Sequence, residues 1–179
     1  MQRIRTACAV AGLMISGVAL GQGAPASTGS PFAGEIQTSY ARVKDNIIKA
    51  AEKMPPENYS FKPTPDIRTY ARVVNHVTEA QVHSCGAANH TDPSAVAKVP
   101  ADTADKAAIV DALKASFAEC DKAYAGVTDA NMTEMLQAGP YKRSRLSMLW
   151  GNVAHDNEQY ATLSLYLRLK GLAPPSSEK

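Results

Sequence analysis

Asn152, His155, Asp156 and Gln159 crowd ionisable and hydrogen-bonding side chains into a segment that is otherwise apolar. Residues 155 and 159 are four apart, so on a helix they share a face and can converge on one atom. Burying such groups unpaired costs several kcal/mol, so they either face solvent or satisfy one another. The other histidines are His76, His83 and His90, and the cysteines are Cys8, Cys85 and Cys120. Imidazoles and thiolates are the side chains that most readily hold a transition metal or act as bases and nucleophiles near neutral pH. Other chemistries find no footing. The chain carries no Gly-rich phosphate loop, no nucleophile elbow and no closely spaced cysteine pair for a metal, and Ser84 has no partner that would activate it.

Cys85 and Cys120 lie 35 positions apart. In an oxidising compartment an even pair favours a disulfide, which would contribute about 3–4 kcal/mol by loop entropy. Two buried free thiols and a reactive thiol are the rival readings. Cys85 is nine residues from His76, about 13 Å along a helix, too far to join the same ion.

These groups must be positioned by helices. Four apolar-periodic segments stand out, with no convincing strand alternation, internal repeat or low-complexity block. The first spans residues 31–54, where Ile36, Tyr40, Val43, Ile47, Ala51 and Met54 form one stripe and Pro55-Pro56 stops the helix. The second starts between 65 and 69, with Thr64 as cap, and ends near Gly86. Ile67, Tyr70, Val74 and Val77 hold its stripe, with His76 and His83 on the adjoining face. The third starts at 103 or 105 and runs to 125 on Val110, Leu113, Phe117, Cys120 and Tyr124. The fourth covers 144–170, with Leu149, Val153, Tyr160, Leu163 and Leu167 inside and Gly171 as its stop. Trp150 and the tyrosines read as core or rim packing, His90 as a solvated loop residue, and His83, on roughly the same face as His76, as a surface residue or a supporting partner behind the site. This pattern is an all-α four-helix bundle. Its long inter-helix connections leave the order of the helices open.

Arg3 and Arg5 precede an uncharged run from Thr6 to Gly21, and Ala19-Leu20-Gly21 offers a cleavage site. Residues 1–21 therefore read as a signal peptide, since the run falls short of the ~20 apolar residues that span a bilayer. Residues 22–31 read as a flexible leader and 32–176 as one domain, exported to the periplasm or secreted. Cleavage removes two of 19 basic residues and no acid, leaving 17 against 17 and a net charge of zero. Such a surface gives no footprint for nucleic acid, and no later run suits a membrane. The oligomeric state stays open, a homodimer included.

The segment Lys62-Pro63-Thr64-Pro65-Asp66-Ile67-Arg68-Thr69-Tyr70, followed by Val74-Asn75-His76-Val77, resembles the start of helix two in DinB-like proteins. The runs His155-Asp156-Asn157-Glu158-Gln159-Tyr160 and Tyr166-Leu167-Arg168-Leu169-Lys170-Gly171 resemble their helix four. The resemblance covers about 32–176. It implies a four-helix bundle holding a divalent metal, zinc or nickel, on one histidine from helix two and two from helix four. His76 matches the first position and His155 the second, while Gln159 stands at the third. An amide oxygen binds such ions more weakly than imidazole does. Glu158 sits about 100° round the helix from Gln159 and is not enlisted.

Three readings of His76 and His155 stay open: metal ligands, a hydrogen-bonded pair without metal, or unrelated half-exposed histidines. Two functions follow. One is a metal-dependent enzyme of transferase or hydrolase type acting on a small molecule. The other is a non-catalytic bundle serving as a small-ligand-binding or structural module. Some DinB-like proteins are transferases using low-molecular-weight thiols, an analogy that export weakens because such thiols are scarce in oxidising compartments.

Overall fold

The computed structural model describes residues 31–178; the expected signal peptide, with Cys8, and the leader up to residue 30 lie outside them. Four long helices carry the fold: α1 (Pro31–Lys53), α2 (Tyr70–Asn89), α4 (Lys106–Ala125) and α5 (Arg145–Leu169), with a one-turn α3 (Pro93–Val96) after α2. Around the bundle the order is α1, α4, α2, α5, so α1 faces α2 and α4 faces α5 across the diagonals. Among the described residues no helix is long and apolar enough to cross a membrane.

The stripe on α1 is buried from Ile36 through Met54, and those on α4 and α5 are buried from Val110 to Tyr124 and from Leu149 to Leu167. Six buried tyrosines fill the space between helices and still satisfy their hydroxyls. Tyr70 donates to the Ala50 carbonyl at 2.7 Å and Tyr59 to Ala51 at 2.6 Å, while Tyr124 donates from α4 to the Leu149 carbonyl of α5 at 2.8 Å. Tyr40 stacks on Tyr124 with ring centroids 3.8 Å apart. A disulfide joins Cys85 of α2 to Cys120 of α4, their Cα atoms 4.9 Å apart.

The start of α2 differs from expectation. Thr69, not Thr64, is the cap, accepting from the Arg72 amide at 3.1 Å. The preceding chain makes a turn at Pro65-Asp66, where the Ile67 amide donates to the Thr64 carbonyl at 3.3 Å, and Ile67 is exposed rather than part of the stripe. Gly86 does not end the helix. A side chain there would press on the Thr91 carbonyl at 3.3 Å, so glycine is what allows the chain to fold back after Asn89. The turn is made by His90, exposed and left-handed at φ 57°.

Two strands also depart from the all-helical pattern. β1 (Met135–Ala138) and β2 (Tyr141–Ser144) pair antiparallel, Met135 against Ser144 and Ala138 against Tyr141. Gly139 at φ 59°, followed by Pro140, makes the tight turn. The buried guanidinium of Arg145 anchors this hairpin at its base: Nη1 donates to the Ala88 carbonyl of α2 and Nη2 to Glu134 at 2.6 Å. Trp150, expected to pack, is exposed at 56%.

Candidate functional site

His76 sits on α2 and His155 on α5, and the adjacency of those helices brings the two imidazoles together. Their Nε2 atoms are 3.2 Å apart, and the rings meet edge to face at 73°. Both side chains are about three-quarters buried.

Each ring has a carboxylate behind its other nitrogen. On α2, Glu79 lies one turn after His76 and places Oε2 3.5 Å from His76 Nδ1. Arg72, one turn before His76, holds Glu79 through both guanidinium nitrogens, and its carboxyl is drawn below the usual range by those hydrogen bonds. On α5, Asp156 places Oδ1 3.6 Å from His155 Nδ1, and neither atom has a hydrogen-bond partner. Asp156 is fully buried, and its Oδ2 accepts from Asn152 Nδ2 at 3.3 Å and Gln81 Nε2 at 3.4 Å. Ser116 of α4 in turn donates to Gln81 Oε1. Burial raises the Asp156 carboxyl above its ordinary range. Burial also lowers His76, with the Arg68 and His155 charges adding to it, so the neutral imidazole is favoured.

Gln159 lies half-buried on α5, one turn beyond His155. Among the described residues no hydrogen bond links it to the histidine pair, and no group of three or more His, Cys, Asp or Glu side chains is gathered for a metal.

A cavity of about 640 Å³ opens beside His155, walled by α2 and α5 and edged by the hairpin. Its polar lining is His83, Ser84, Asn152 and His155 from the helices, Thr91 from the loop after α2, and Gln137 and Arg143 from the hairpin. Periodicity assigned His83 to the surface; it is exposed, but on the rim of this cavity. Arg143 and Gln137 were missed. The signal for them was the Gly139-Pro140 dipeptide, a turn marker flanked by two short runs.

Solved structures share this architecture. A DinB-like protein from Bacillus cereus ATCC 10987 superposes with a TM-score of 0.67 at 16% identity, covering 79% of this chain and 95% of its own. A DinB-like protein from Bacillus subtilis gives 0.62 at 16%, covering 76% and 92%. A conserved protein from Enterococcus faecalis gives 0.62 at 15%, covering 76% and 95%. At these identities the likeness shows the fold alone. No curated protein matches the chain. The family model of the DinB superfamily matches residues 39–163, more than half of the sequence and all of the stretch that carries both histidines. The chain therefore belongs to the DinB superfamily.

Proposed function

We propose that this is an exported enzyme of transferase or hydrolase type that holds one divalent ion, zinc or nickel, on His76 and His155 and acts on a small molecule in the adjoining cavity. The carrying observation is the facing of the two Nε2 atoms at 3.2 Å with an acid behind each Nδ1. Two nitrogens bound to one tetrahedral or octahedral ion, each about 2.0–2.1 Å from it, stand about 2.9–3.4 Å apart. A carboxylate at Nδ1 favours the Nδ1–H tautomer. Both rings in that tautomer turn bare nitrogens toward each other, which is repulsive unless a cation or a proton lies between them. His155 Nδ1 and Asp156 Oδ1, both buried without a partner, fit the same arrangement. Gln159 offers a third, weaker donor from the same helix as His155.

When bound, such an ion supplies Lewis acidity to a substrate oxygen or an activated water. The residues of the chain do the rest. Glu79 and Asp156 fix the ring orientations, Arg72 fixes Glu79, and the apolar walls of α2 and α5 shield the bound molecule from water. The Cys85–Cys120 disulfide supports an oxidising compartment, in keeping with the leader sequence.

The amide at Gln159 favours a second reading, a bundle that binds a small ligand without catalysis. Metal analysis of full-length protein purified without chelator or histidine tag separates the two. The enzyme reading expects about one ion per chain, lost in His76→Ala and His155→Ala. Negligible metal in the native protein, with no saturable uptake of added zinc, leaves only the binding module.

A further inference from the structure

We infer that the cavity beside His155 is built for a small amphipathic carboxylate that also carries a hydrogen-bond donor. The inference rests on reading this cavity as the ligand chamber of the proposed function, and not on the ion.

Charge comes first. No Asp or Glu lines the cavity among the described residues, whereas Arg143 from β2 does. Its neighbour Arg145 is committed to Glu134 and the Ala88 carbonyl, but Arg143 has no acidic partner among the described residues. A guanidinium at the edge of a chamber with apolar walls is a bidentate receptor for a carboxylate.

The second observation is independent. Asn152 lies on the cavity wall yet is only 2% exposed, and its Oδ1 has no hydrogen-bond partner. Its amide nitrogen is directed at Tyr124 Oη, 3.2 Å away, and Asp156 Oδ2, 3.3 Å away. Those partners fix the amide, so the oxygen is the free end. A buried, unsatisfied acceptor is costly; Oδ1 has almost no accessible surface of its own, so an O–H or N–H of the occupant meets it as the neighbouring wall side chains shift aside. Ala80, Ala87 and Met148 supply the apolar remainder of the wall. A cation, by contrast, would meet Arg143 with nothing to offset the repulsion.

The test uses the full chain after removal of metal, titrated calorimetrically with 3-hydroxyoctanoate, octanoate and octyltrimethylammonium. The hydroxy acid is expected to bind at least about tenfold more tightly than the quaternary amine, the scale of one charge-assisted hydrogen bond. It should exceed octanoate by about three- to tenfold, the scale of a neutral one. Arg143→Gln, an exposed substitution that leaves the core intact, should remove the preference for acid. Equal binding of acid and amine, or an unchanged preference in Arg143→Gln, overturns the inference. Equal binding of octanoate and its hydroxy derivative overturns the role of Asn152. None of these outcomes depends on whether the native protein takes up zinc, so failure here and failure of the metal reading are separately visible.

Discussion

Both guanidinium nitrogens of Arg72 donate to Glu79, Nη1 to Oε1 at 2.8 Å and Nη2 to Oε2 at 2.6 Å, and the carboxylate so held stands 3.5 Å from His76 Nδ1. The arrangement orients the ring from behind. Glu79→Gln is expected to lower zinc affinity by about 10–100-fold, with Arg72→Ala following in the same direction. Competition against a chromophoric chelator measures this. Unchanged affinity in both variants would show that the packing of α2 and α5 alone orients His76.

Gln159→His replaces a neutral amide oxygen with an imidazole nitrogen on the face that carries His155. Zinc affinity should rise at least about tenfold, because nitrogen suits zinc far better than an amide oxygen. The same competition assay applies. No gain would place residue 159 out of reach of the ion.

Acid stability should turn on Glu119. Burial raises its carboxyl, but hydrogen bonds from Lys122, Thr91 and Asn89 outweigh that and bring it down to about 2. A depressed carboxyl contributes stability that is fully present above the unfolded value near ~4.3 and is lost as pH falls through the folded value. Urea unfolding between pH 5 and about pH 2 should therefore show a loss of about 1–3 kcal/mol that Glu119→Gln lacks. Parallel pH curves for the two proteins would remove Glu119 from the account.

Cys85 and Cys120 are both fully buried, and their bridge joins α2 to α4. Native protein should gain two protons in mass on reduction after unfolding. The double variant Cys85→Ala/Cys120→Ala should lose about 3–4 kcal/mol in urea. Two thiols titrating in unfolded, unreduced protein would contradict the bridge.

The helical stripes were legible because burial follows the 3.6-residue period directly, as in α1 from Ile36 to Met54. The helix order was not, since connections of a dozen residues or more permit several arrangements. For that reason the meeting of His76 and His155, which needs α2 beside α5, was a matter of resemblance rather than periodicity. The hairpin escaped because Leu136 is its one buried hydrophobic residue in the described pattern, so its strands carry no alternation to read. Arg143 stands two positions before Arg145 in the run Lys142-Arg143-Ser144-Arg145. Its neighbour Arg145 turned inward to Glu134 and Ala88 while Arg143 stayed at the cavity edge, and nothing in residue type distinguishes those fates.

The anchoring of the hairpin by Arg145 divides the cavity beside His155 into two kinds of wall. The helical floor belongs to the hydrophobic core and is cross-linked through Cys85, so substitutions there disturb the whole molecule. The rim residues Gln137, Gly139 and Arg143 are exposed, while the hairpin meets the core through Leu136 and is anchored at its base by Arg145. Selection for a new ligand can thus rewrite a handful of hairpin residues while the bundle, and the histidine pair inside it, stays as it is.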